Sequence, residues 1–143
     1  MKRYLLAAIL AAAPAFAETT TSLEGARVHF VNLEDGAIVS SPVEVVLALE
    51  GMALAPAGTE EHGTGHHILL INRPPLGEGE DGANELRNSL PFDENHVHLA
   101  DGETEIMLEL PPGTHTLQLV LGDHNHIPHD PPVVEDVITI TVE

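Results

Sequence analysis

The sequence has no cysteine and no tryptophan, and after Ala17 only two aromatic side chains remain, Phe30 and Phe92. Without cysteine there is no disulfide, no thiolate metal ligand, no cysteine nucleophile and no lipidated N-terminal cysteine. Stability must therefore come from a packed core. So few rings argue against a sugar-stacking surface. Basic residues are also scarce: past Ala17 only Arg27, Arg73 and Arg87 face 23 acidic residues, a formal charge of −20. A field of that sign repels nucleic acid and anionic lipid and attracts cations. Beyond the first residues no segment approaches the ~18 uninterrupted apolar residues of a spanning helix, so no membrane insertion is expected.

The chain opens with "MKRYLLAAILAAAPAFA", in which Lys2 and Arg3 precede a short apolar run that closes on Ala15 and Ala17. This is the pattern of a signal peptide over residues 1–17, with cleavage after Ala17 and a periplasmic or secreted product. Residues 18–143 are an ordinary length for one domain with one core.

Strand patterns dominate that part. "PVEVVLALEG" alternates Val43, Val45, Leu47 and Leu49 against its other residues, and "TEIMLELPPG", "HTLQLVLGD" and "DVITITVE" repeat the period of two. "HHILLIN" is a continuous apolar run that suits a strand covered on both sides. With "ARVHFVN" and "HVHLA" these make about seven strands, separated by "LEDGA", "SSP", "LADGE", "PPGT" and "HDPP". The expected fold is all-β, an immunoglobulin-like antiparallel β-sandwich, with a partly open β-barrel as the alternative. The longest irregular stretch, Arg73 to Asn95, reads as an exposed acidic insertion with a helical turn around Asn84 to Asn88.

Ten histidines are many for this length, and nearly all fall at expected strand ends. If successive strands simply reverse direction, the starts and ends that carry "GHH", "HVH" and "HNHIPH" share one pole of the sandwich. That brings His66, His67, His96, His98, His124, His126 and His129 together as candidate metal ligands, with His62 nearby. His115 falls at the opposite pole, and His29 lies inside the first strand. Neutral imidazole is the commonest transition-metal ligand, and two histidines at i and i+2 of a strand point to one face. With no thiolate and no cluster of methionines, the ligand types favour Cu(II), Zn or Ni over Cu(I), and Cu(II) or Zn is the expected ion. Such a site should weaken as pH falls through about 6.5, where imidazole protonates. The competing reading is that the histidines hydrogen-bond loop carbonyls and that Asp123 or Asp130 merely holds the long loop.

Several stretches together resemble a bacterial secreted family known as domain of unknown function 4399: "VHFVNLEDGAIVSSPVEV", "EGMALAPAG", "GHHILLI", "ENHVHLADGETE" and "LPPGTHTLQLVLGDHNHIPHDPPVVEDVITITV". The family pattern usually carries a third consecutive histidine and an Asp in the third segment, where this chain has Ile68 and Asn72. It also has more glycine where Leu99, Ala100 and Asp101 stand, and a shorter stretch than Arg73 to Asn95. The resemblance implies boundaries and motifs but no reaction.

These features point to an exported metal-binding protein that acts in binding or delivery, with a metal cation and a periplasmic protein as its partners. A non-catalytic interaction module is the alternative. A metal-dependent enzyme is the weakest reading. A superoxide-dismutase-like "HVH" would draw an anion toward a chain of −20, a histidine brace needs His where cleavage leaves Glu18, and a blue-copper site needs a Cys ligand.

Overall fold

A computed structural model describes residues 18–143; the expected signal segment lies outside the described residues. The elements are β1 (Arg27–Phe30), β2 (Ile38–Val39), β3 (Val43–Glu50), β4 (Ala53–Leu54), β5 (Thr64–Ile71), a helical turn α1 (Gly82–Glu85), β6 (His96–His98), β7 (Glu105–Leu108), β8 (Gly113–Gly122) and β9 (Ile138–Val142). They form two sheets that do not close into a barrel. One has the order β1-β3-β7; the larger has the order β2-β9-β8-β5-β4, with β6 also paired to β5. The fold is a β-sandwich, as the alternation predicts.

All seven strands read from the sequence are present. The structure adds β2 and β4, each two residues long and each parallel to its partner, β9 and β5 respectively. Two residues cannot display a period, which is why the sequence does not reveal these strands.

Alternation along the strands assigns the core. Val43, Val45 and Leu47 of β3 face Leu117, Leu119 and Leu121 of β8 and Ile138 and Ile140 of β9 across the gap between the sheets. Strand β5 is buried almost throughout. Its Leu69 and Ile71 join this inter-sheet core, while Ile68 and Leu70 turn to the outer face of the large sheet and pack with Val120 and Leu90. Residues 73–95 are mostly exposed, as expected, yet they also cover part of that outer face, which the sequence does not announce. The physical reason is two leucines in an otherwise polar stretch: Leu90 is buried and Leu76 packs beside it. The helical turn sits at Gly82–Glu85, slightly earlier than expected. The cover is tied down from several sides. Arg73 pairs with the buried Glu85, and Leu76 N donates to Gln118 Oε1 at 2.8 Å. Asn95 Nδ2 donates to the Ile71 carbonyl at 2.9 Å.

Where β5 meets β8 the backbones come close. A Cβ on Gly65 would lie 2.7 Å from Leu121 Cγ and 2.8 Å from the Gly122 carbonyl oxygen. Gly65→Ala should therefore destabilise by about 1–3 kcal/mol in urea unfolding, because a backbone atom cannot step aside as a side-chain end can. An unchanged midpoint would show that the two strands have slack there.

His67 points into the inter-sheet side of β5. It is fully buried, and neither ring nitrogen has a partner among the described residues. Burial, and then the charge of His29, lowers its pKa from 6.5 to about 4. The unfolded chain would take up this proton near 6.5, so between the two values the unfolded state binds more protons. Stability should be full above about 6.5 and fall as pH drops toward about 4, by up to roughly 3 kcal/mol from this residue. In pH-dependent denaturation, His67→Leu should flatten that slope in part, the rest coming from His66, which burial also holds at about 4, and from His98 and His126, which burial lowers too. A slope unchanged in His67→Leu would show that this imidazole is not the group that titrates.

Candidate metal centre

Three of the candidate histidines converge. His66 comes from β5, His98 from the end of β6, and His126 from the loop after β8. Antiparallel pairing places His98 opposite Ile68 and Gly122 opposite His66, so His66, Ile68 and His98 share the outer face of the large sheet. Gly122 has no side chain to crowd them: a Cβ there would stand 2.5 Å from Ile68 Cδ1 and 3.4 Å from His66 Cε1.

The loop brings the third ring over this face. Asp123 N donates to the Ile127 carbonyl at 2.9 Å and His126 N to the Asp123 carbonyl at 3.0 Å, so the turn closes tightly. The Asp123 carboxylate holds its shape. Oδ1 accepts from Asn125 N at 2.8 Å and Ile127 N at 3.0 Å, and Oδ2 accepts from the Thr20 hydroxyl at 2.8 Å. Asp123 is thus the loop fastener that the sequence suggests. Such a turn ends on a left-handed residue, normally glycine. Here that residue is His126, with φ +62°. A side chain in that region costs on the order of 1 kcal/mol or more, and the usual reason for keeping one is functional.

His126 Nδ1 lies 3.1 Å from His98 Nδ1 and 3.1 Å from His66 Nε2. One ligand atom from each ring falls within 4.8 Å of the others, and this is the group of three able to hold a metal among the described residues. The rings of His66 and His98 both meet His126 nearly edge-on, at centroid distances of 5.0 and 4.9 Å. His98 is clamped from behind. Its Nε2 donates to the Pro91 carbonyl at 2.8 Å, and Phe92 stacks on its ring at 3.8 Å and 15°. Because Nε2 carries the proton, Nδ1 presents a lone pair to the centre.

Proton accounting then limits what the triangle can be. His126 Nδ1 has one in-plane direction, holding either a proton or a lone pair, yet it faces two nitrogens at once. With neutral rings and His98 Nδ1 unprotonated, either one N–H of His126 must serve two nitrogens or its lone pair meets that of His98, and a cation between the three nitrogens satisfies all of them at once. Ligands about 2.0–2.1 Å from a common ion stand roughly 3–3.5 Å apart, so the two 3.1 Å separations suit one. The rings are also held neutral. Burial, then the charges of His126 and His98, lowers His66 to about 4, against a smaller upward pull from Asp123. Burial lowers His98 and His126 as well.

The other candidates lie elsewhere. His67 faces the opposite side of β5. His96 shares the face of His98 but is already held: Arg73 Nη1 donates to its Nε2 at 2.8 Å, so its Nδ1–H donates to Asp93 at 2.6 Å. That contact lowers the pKa of Asp93. His124 lies 3.0 Å from Asn125 Nδ2 and 3.6 Å from a Glu60 carboxylate oxygen. His129 is buried, with Nδ1 3.4 Å from the Leu121 carbonyl and no partner for Nε2. His115 is fastened at the far end by Asn72 and the Pro111 carbonyl. Two contributors escape the sequence reading, Phe92 and the Pro91 carbonyl. A proline and one of only two aromatics just before "HVH" is the available signal.

A family model described as Domain of unknown function (DUF4399) matches residues 45–143. No curated protein and no solved structure matches the chain. The matched span takes in most of β3, every later strand and all three converging histidines, and the chain therefore belongs to the family of Domain of unknown function (DUF4399).

Proposed function

We propose that this is an exported metal-binding protein, a single domain over residues 18–143, that holds Cu(II) or Zn through His66, His98 and His126 and acts in binding or delivery rather than in turnover. The observation that supports it best is His126: a non-glycine residue at φ +62° whose Nδ1 closes on two other imidazole nitrogens at 3.1 Å each. A loop fastener would need neither the strained backbone nor three imidazole nitrogens turned to one point. An all-imidazole set suits Cu(II) and Zn and leaves calcium and magnesium, which want oxygen, without ligands. The net negative field raises the local concentration of cations around the site.

Calorimetric titration with Cu(II) and with Zn should give stoichiometric binding, and saturating metal should raise the melting temperature. His66→Ala, His98→Ala and His126→Ala should each weaken binding by more than about tenfold, while His96→Ala and His115→Ala leave it within a few-fold. Absence of binding heat and of a thermal shift with both metals would end this reading, as would equal losses across all five variants. His126→Gly should separate backbone from ligand. It should match or exceed the parent in metal-free stability, because glycine accepts the left-handed conformation, and it should lose the metal-induced rise. Lower metal-free stability in that variant would mean the imidazole serves the fold.

Acid should release the metal later than an ordinary histidine site would. With His66 at about 4 and His98 and His126 also lowered, affinity should persist through pH 6.5 and fall as pH approaches that of His66. Loss of binding already complete at pH 6 would contradict this.

A further inference from the structure

We propose that the metal centre keeps one coordination position open to the outside and that a histidine side chain of a second protein fills it, which gives the ion a route off the chain. This rests on the metal reading above and adds the chemistry of the receiving partner. Among the described residues, the group that can hold an ion has three members and no fourth. The neighbouring donors are engaged elsewhere. Both oxygens of Asp123 accept hydrogen bonds, and both nitrogens of His96 are held by Arg73 and Asp93. The Pro91 carbonyl accepts from His98, and the His126 carbonyl accepts from Leu90 N at 2.9 Å. A closed Zn site has four ligands and a square-planar Cu(II) site as many, so three imidazoles leave a position unfilled.

That position is reached from solvent. His66 is buried, whereas His98 and His126 are half-buried, so the triangle opens on their side. Phe92 stands at the opening, its ring centroid 3.8 Å from that of His98 and 4.7 Å from that of His126, and it is 64% exposed. An aromatic ring left in water there suits the approach of another flat side chain.

Charge selects the donor. Burial lowers the pKa of each of the three rings, and the charge of Asp123 pulls His66 and His126 back up while that of Asp93 does so for His98. A divalent ion on three neutral rings therefore already has carboxylates nearby that do not coordinate it, within a chain of formal charge −20. A further anion would add to that negative charge, and a neutral donor would not. Among neutral donors, a lysine amine is protonated at neutral pH and has no lone pair to give. A thioether suits Cu(I), and a carbonyl oxygen suits calcium and magnesium. Imidazole is left, neutral at that pH and preferred by both Cu(II) and Zn. One open position takes one donor atom. A histidine within a polypeptide offers one, whereas free histidine carries an amine and a carboxylate beside its ring and binds as a chelate.

The test is pulsed EPR of the Cu(II)-loaded protein, which counts coordinated imidazoles, during titration with Nα-acetyl-L-histidine methylamide as a stand-in for a protein-borne histidine. Azide, an anion of similar reach, is titrated in parallel. Before any addition the count should be three. The methylamide should raise it to four in a saturable way, with a dissociation constant on the order of 1 mM, and azide should bind at least about tenfold more weakly. Gel filtration in eluent containing the methylamide should show copper still on the protein. A count that starts at four, a count that stays at three, azide binding as tightly as the methylamide, or copper leaving as a free complex would each overturn the proposal while the metal reading stands. Copper that never binds would overturn both.

Discussion

Strand β5 is buried on both faces, and this double burial decides what each residue of "GHHILLI" can do. A sandwich strand usually has one face in the core and one in water. Here the cover from Arg73 to Asn95 closes the second face, through Leu90 and Leu76 over Ile68, Leu70 and Val120. Two adjacent histidines then end up in unlike places. His67 is enclosed between the sheets, and His66 lies under the edge of the cover, where β6 and the loop after β8 bring further imidazoles. The same cover supplies the Pro91 carbonyl and the Phe92 ring that orient His98.

Burial also sets the chemistry of the triangle. Each of its three imidazoles has its pKa lowered, with loss of solvent as the leading cause and mutual repulsion of the protonated rings adding to it for His66 and His98. Neutral rings expose lone pairs, and nitrogens 3.1 Å apart with too few protons for every contact favour a cation. The neighbouring carboxylate does not take that role. Both oxygens of Asp123 are engaged in shaping the turn, so it acts on the centre through its charge and through the backbone geometry it enforces.

Much of the sandwich is legible in the sequence because alternation is a direct print of a sheet with one buried face, as in Val43, Val45 and Leu47. What is not legible follows from the limits of that print. The pairs Ile38–Val39 and Ala53–Leu54 are too short to show it, and two leucines among glycines, prolines and acids do not announce a cover. The histidine cluster is partly legible. Spacing identifies "HVH" as one face, but it cannot say that Arg73, far away in sequence, takes up the Nε2 of His96 and leaves His98 alone to face the centre. Sharing a pole is also a weaker condition than sharing a face. His124 and His129 belong to the same loop as His126, and only the left-handed residue turns its nitrogen onto His66 and His98.

The distribution of charge separates attraction from selection. The acids are mostly at the surface, where their summed field draws any cation toward the molecule without distinguishing among them. The triangle itself contains no oxygen ligand. A calcium or magnesium ion concentrated by the field would find imidazoles in place of the carboxylates and carbonyls it needs, and would gain little by leaving water. An ion that prefers nitrogen loses its hydration more readily there, because the rings are already deprotonated and already aimed. Discrimination then rests on keeping carboxylates out of the triangle, and it is the hydrogen bonds from Thr20, Asn125 and Ile127 to Asp123 that keep the nearest one occupied.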